Sequence, residues 1–168
     1  MISTIFSLLI SGLAFLLSLY SAINTYYEKH IKTQSYLRWV YFIGGQLNVC
    51  LLISNMSSRP STITNIYFEN EIETVESSWF PIKLISRQNL DTNKEKLAFS
   101  DCTPVNIPPR SSRTVIVSFQ YLNSNQFFPN SKLKLEFEVN GTTVEKEFII
   151  KKVLKPSEYT IALEKRLK

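Results

Sequence analysis

The densest acidic run is Glu69, Glu71, Glu73 and Glu76. Glu69, Glu71 and Glu73 alternate, so an extended strand would project them from one face. Grouped carboxylates suit acid–base work on a glycosidic bond or oxygen ligation of a hard cation. They suit a solvated edge strand better, because charges there keep other chains from pairing with it. The other reactive residues do not assemble into a motif. His30 is the single histidine, so no second imidazole exists for a common zinc site, and no cysteine pair has ligand spacing. Cys50 lies in the apolar run Leu47–Ile53 and reads as a buried thiol, while Cys102 sits in the polar stretch Ser100–Pro104. One disulfide between them is open, but a core thiol and a loop thiol fit the pattern better. Asp91 and Asp101 fall in polar loops. No nucleophile elbow, P-loop or dinucleotide fingerprint occurs. No catalytic residue, metal ligand or cofactor is assigned, and no enzyme is expected. Asn55-Met56-Ser57 and Asn140-Gly141-Thr142 match the glycosylation acceptor pattern. Asn55 follows a strand and Asn140 makes a turn, so each has a structural reason to be there.

The first charged side chain is Glu28, after an uncharged stretch from Met1 to Tyr27. Ile5–Ile23 is dominated by Leu, Ile and Phe and, as a helix, nearly crosses a hydrocarbon layer of ~30 Å. A core helix would show a charged face. A cleaved signal peptide would open with Lys or Arg and end in a small-residue site, and Leu19-Tyr20-Ser21 is a poor one. Residues 1–27 are therefore expected to be a single-pass transmembrane anchor, and residues 28–35 a connector. Lys29, Lys32 and Arg38 flank it on the C-terminal side, and the positive-inside rule places the following domain in the cytoplasm. The margin is small enough to leave an exported domain open.

Ser3, Ser7, Ser11, Ala14, Ser18, Ser21 and Thr25 recur at spacings of three and four. This is a seam of small residues along one helix face, suited to close packing against another span. The expected partners are the lipid bilayer and, through this seam, a second copy or another membrane protein.

Beyond the connector the pattern is that of strands. Tyr36–Phe42 is aromatic and β-branched and ends at Gly44-Gly45. Leu47, Val49, Leu51 and Ile53 alternate with Asn48, Cys50, Leu52 and Ser54, the mark of a strand with one well-buried face. Ile63–Phe68, Trp79–Ile85 and Thr114–Tyr121 read as further strands, with Asn106–Ser112 as a stiff loop. Lys132–Val139 alternates cleanly, Asn140-Gly141 is the preferred type I′ pair, and Thr142–Ile150 returns. That register sets Phe137 against Val144, Leu133 against Phe148 and Lys134 against Glu147. The expected fold class is an N-terminal transmembrane helix followed by an all-β domain, residues 36–153, with an immunoglobulin-like β-sandwich as the leading topology.

Residues 154–168 form a basic tail. Residues 1–150 hold thirteen basic and twelve acidic side chains, a net of one, whereas residues 151–168 hold six against two, a net of four. Nucleic acid is not an expected partner, because the basic character belongs to this tail and no docking motif accompanies it. Ser157 is placed to cap a short helix after Pro156. Lys165, Arg166 and Lys168 on that helix could meet anionic headgroups.

The run Leu51-Leu52-Ile53-Ser54-Asn55, then Ser57-Ser58-Arg59-Pro60, then Ile63-Thr64-Asn65-Ile66 resembles the opening of many small bacterial single-span proteins with sandwich domains. The layout as a whole resembles the lactococcal prophage superinfection-exclusion proteins. The resemblance implies a membrane-anchored interaction protein that blocks entry of incoming phage DNA. It is a likeness of architecture and carries over no residue roles. The other expectation is an accessory or structural subunit of a larger membrane complex.

Overall fold

The computed structural model describes residues 2–30, 33–69, 74–89, 94–122 and 127–166. The chain opens with a 29-residue helix, α1 (Ile2–His30). From Leu9 to Tyr26 it is long and apolar enough to cross a membrane, and every side chain in that stretch is exposed.

The β-domain begins directly afterwards. β1 (Gln34–Ile43) turns through Gly44-Gly45 into β2 (Gln46–Asn55), and β8 (Ser111–Phe119) flanks β2 on its other side, giving one antiparallel sheet. Gly44 and Gly45 both have positive φ, 53° and 77°, where a side chain would strain the turn. The second sheet runs β10 (Thr142–Ile149), β9 (Lys132–Val139), β3 (Ser61–Glu69) and β4 (Thr74–Glu76), with β7 (Val105–Ile107) also paired to β3. A separate hairpin joins β5 (Lys83–Asn89) to β6 (Lys94–Phe99). The two sheets enclose one core, built from Leu47, Leu51, Ile53 and Phe119 on one side and Ile63, Ile66, Leu133 and Leu135 on the other.

The Asn140-Gly141 hairpin folds in the expected register. Val144 opposes Phe137, Phe148 opposes Leu133 and Glu147 opposes Lys134. Asn140 and Gly141 have φ of 50° and 76°, both left-handed as a type I′ turn requires. Its ion pairs run diagonally, however: Lys132 Nζ reaches Glu147 at 2.9 Å, while Lys134 Nζ reaches Glu145 at 3.2 Å.

Other expectations need correction. β2 is buried on both faces, not one: Asn48, Cys50 and Ser54 are as inaccessible as their apolar neighbours. A second apolar cluster accounts for Cys50, while Asn48 and Ser54 meet the Ser118 and Ser112 hydroxyls of β8. Tyr41, Cys50 and Ile116 on the outer face of the first sheet pack under Ala98 of β6 and under Leu154, Tyr159 and Leu163. The last two belong to α2 (Pro156–Arg166). Ser157 does not cap this helix. Pro156 opens it, the Tyr159 N–H reaches the Lys155 carbonyl at 2.9 Å, and the Lys155 N–H donates to Glu158 Oε2 at 3.1 Å. Lys155 is thus the cap and Pro156 the first helical residue, where a missing N–H costs nothing. The strand expected at Trp79–Ile85 begins only at Lys83, past Pro81, which has no N–H for a ladder. The loop expected at Asn106–Ser112 carries part of β7.

Between β10 and α2 the chain passes along the free edge of β1. The Val40 N–H donates to the Lys152 carbonyl at 3.0 Å and the Leu154 N–H to the Val40 carbonyl at 2.9 Å, making a parallel bridge between Val40 and Val153. Asn55 closes the turn at the end of β2. Its Nδ2 donates to the carbonyls of Arg59, Ile107 and Pro108, and its Oδ1 accepts from the N–H and hydroxyl of Ser57. It is almost fully buried, and the acceptor pattern around it is a structural device.

Candidate functional site

β1 and β10 lie in different sheets and part near the start of β1. The gap is a cavity of about 630 Å³, within the size range of small-molecule sites. Its lining is mixed: Thr33, Ser35, Asn140, Thr142, Thr143, Glu145 and Lys146 are polar or charged, Val139 and Val144 offer apolar surface, and Ile53, Ile63 and Phe137 behind them are almost fully buried.

Lys146 is the unusual member. Strand alternation puts it between Val144 and Phe148 on the inward face, opposite buried Leu135. Its Nζ donates to the Ser35 carbonyl at 2.6 Å and lies 5.6 Å from the Tyr36 ring centroid and 5.3 Å from that of Phe148. Both distances suit a cation held by aromatic faces. Partial burial holds the amine below the usual lysine range. Among the described residues no carboxylate pairs with it: neighbouring Glu145, which also lines the cavity, engages Lys134. The sequence carried a signal for this, a lysine in the inward register of a returning strand, and the expectations passed over it.

The outer face of the second sheet collects the acidic residues. Glu69, Glu136 and Glu145 bring carboxylate oxygens within 4.8 Å of one another. Lys134 sits among them, 2.8 Å from Glu69 and 3.2 Å from Glu145, and its hydrogen bonds to those two raise its pKa above the usual value. The ammonium already supplies the countercharge there. Tyr67 opposes Glu136 and Glu76 on the same face, and partial burial, then the Glu76 carboxylate, hold its phenol above the usual range. The expected single acidic strand is divided: β3 ends at Glu69, Glu76 belongs to β4, and Glu71 and Glu73 lie outside the described residues.

The seam residues share the continuous helix α1, within an arc of about 80° at 100° per residue. Ser7, Ser11, Ala14, Ser18, Ser21 and Thr25 are exposed, and the Thr25 hydroxyl donates to the Ser21 carbonyl at 2.8 Å. The side chains of Ser3, Lys29 and His30, and the whole of Lys32, lie outside the described residues. Arg38 is exposed at a bulge in β1. Lys165 is exposed on α2, while the side chain of Arg166 and the whole of Lys168 fall outside the description. Neither cysteine is in a disulfide: Cys50 is buried and Cys102 half-buried.

Neither a family model nor a curated protein sequence matches the chain. Among solved structures, it is similar to a copper-bound PCuAC domain from PmoF2, with 12% identity and a TM-score of 0.48 over 72% of this chain and 93% of that one. It is also similar to a protein from Archaeoglobus fulgidus, with 11% identity and a TM-score of 0.29 over 71% of this chain and 96% of that one.

Proposed function

We propose that the chain is a single-pass membrane protein whose α1 presents an immunoglobulin-like β-sandwich as an interaction module, with no catalysis of its own. One observation carries this reading. The β-domain fills its core with its own side chains in two clusters, whereas the apolar surface of α1 from Leu9 to Tyr26 stays wholly uncovered. Such a surface requires lipid or another span around it. Lys29, Lys32 and Arg38 favour a cytoplasmic domain, and the architectural resemblance favours exclusion of superinfecting phage as its specific role.

The full chain should stay with membranes through alkaline extraction, while a chain beginning at Thr33 should be soluble and folded. Recovery of full-length protein in the soluble fraction would overturn the anchor. Cells expressing the chain should adsorb phage normally but admit less phage DNA. Unimpaired DNA entry, with stoichiometric co-purification of host membrane proteins in mild detergent, would move the reading to an accessory subunit.

A further inference from the structure

We propose that the end of the β-sandwich nearest α1 is a docking surface for anionic lipid headgroups, held against the bilayer by the arginines of two loops. The inference rests on the anchor reading, which supplies that bilayer. Four segments meet at this end: the start of β1, the β2–β3 loop (residues 56–60), the β7–β8 loop (residues 108–110) and the Asn140-Gly141 turn. Hydrogen bonds join them into one surface. The Thr33 and Ser61 hydroxyls lie 2.9 Å apart, the Arg110 N–H donates to the Ser57 carbonyl at 3.0 Å, and the Thr62 N–H donates to Asn140 Oδ1 at 2.9 Å. Buried Asn55 braces both arginine-bearing loops, since its Nδ2 donates to the Arg59 and Pro108 carbonyls at once.

The charge on this surface has one sign. Residues 55–62, 106–112 and 139–143 include Arg59 and Arg110 and no Asp or Glu. Both arginines are exposed, and among the described residues neither pairs with a carboxylate. Charges just beyond the surface are answered within the domain: Arg113 by Asp101 at 3.5 Å, and Glu138 by Asn65 Nδ2 at 3.2 Å. Arg110 has a φ of 50°, a left-handed backbone that Gly or Asn would adopt at less cost. A guanidinium matches the phosphate of a phospholipid, to which it can donate two parallel hydrogen bonds. Met56, more than half exposed, adds an apolar side chain beside them.

Position selects the partner. Thr33 is bonded to Ser61 at this end, and only Ile31 and Lys32 separate it from His30, the last residue of α1. From Tyr26, where the apolar window ends, four helical residues and three of any conformation reach at most ~17 Å. The loops are thereby tethered within reach of the headgroups. The competing role for Arg59 and Arg110 is that of solvated loop residues, which are indifferent to the lipid beneath them.

The test uses the full chain in nanodiscs of phosphatidylcholine alone, or of phosphatidylcholine and phosphatidylglycerol in equal parts, with a nitroxide quencher on the headgroups. In a Cys102→Ser background, an uncharged fluorophore is placed on Thr142→Cys at the docking end. In a second chain it is placed on Tyr121→Cys at the far end, where the Leu122 N–H donates to the Gly45 carbonyl. The Thr142 label should be quenched in anionic discs and the Tyr121 label should not. The docked-to-free ratio, read from the short and long fluorescence lifetimes, should fall about fivefold for each arginine lost, and so about 25-fold in Arg59→Gln/Arg110→Gly. It should recover in Arg59→Lys/Arg110→Lys, weaken in high salt and stay low in neutral discs. Lys165→Gln should leave it unchanged. Circular dichroism checks that each variant is folded, and Gly suits the left-handed backbone at position 110. Equal ratios in neutral and anionic discs, or in wild type and the arginine double variant, would overturn the proposal. A loss in Lys165→Gln as large as in the double variant would overturn it too, by moving the contact to the tail. Elution of the chain apart from the discs overturns the anchor reading and this proposal with it; co-elution with equal ratios overturns the proposal alone.

Discussion

Tyr159 of α2 stacks on Tyr41 of β1, ring centroids 3.9 Å apart and planes 16° from parallel, with Trp39 edge-on at 5.8 Å. The contact fastens the C-terminal helix over the strand that follows α1. The ring is nearly fully buried, yet among the described residues its hydroxyl finds no hydrogen-bond partner.

An orphaned buried hydroxyl costs about 1–3 kcal/mol. Tyr159→Phe should therefore leave the domain as stable at neutral pH, or more stable by about 1–2 kcal/mol. Burial also raises the Tyr159 pKa far above the ~10 of a free phenol. The unfolded chain loses this proton first, so stability is complete below pH ~10 and falls as pH rises further. Urea melts at rising alkaline pH should show that decline in wild type and a shallower one in Tyr159→Phe. Tyr67, shifted the same way, leaves a residual slope.

Removal of the chain after Lys155 should do more than remove charge. It strips Tyr159 and Leu163 from the outer face of the first sheet and bares Cys50 and Ile116. In a Cys102→Ser background, Cys50 should change from slow to rapid labelling by a thiol reagent. Unchanged labelling would mean that α2 does not cover the sheet.

Asn55→Ala removes the donor to three carbonyls and the acceptor for Ser57 at once. The expected loss is about 2–4 kcal/mol, read as a lower urea midpoint at unchanged slope. Asn140→Ala should cost less, since only the turn and the bond from the Thr62 N–H to Asn140 Oδ1 depend on that side chain.

If the seam packs against another span, Ser7, Ser11 and Ser18 changed together to Leu should abolish crosslinking between helices without affecting insertion. Crosslinking that survives would return these serines to lipid-facing positions.

What was legible in the sequence was local. Asn140-Gly141 between two alternating runs dictated a turn, a register and an inward face, and all three are present. An uncharged Met1–Tyr27 announced an exposed apolar helix for the same reason. What escaped depends on contacts between distant segments. Nothing near Asn48 or Cys50 says that the outer side of β2 will be covered; the cover comes from β6 and α2, far along the chain. The tail looked like a free basic helix because its charges are conspicuous and its three buried side chains, Leu154, Tyr159 and Leu163, are few. The cavity depends on two edge strands parting, which no alternation pattern encodes, and only the inward lysine hinted at it.

The bridge between Val40 and Val153 fixes an order of events during synthesis. β1 is translated well before one of its two neighbours, the segment around Val153. At ~5–20 residues per second, roughly 6–25 s pass between translation of His30 and of Leu154. Throughout that interval α1 is complete and the domain is not. If α1 enters a membrane, its insertion can therefore finish while the domain is still an open chain, and closure of the β1 edge comes only when the segment around Val153 has emerged.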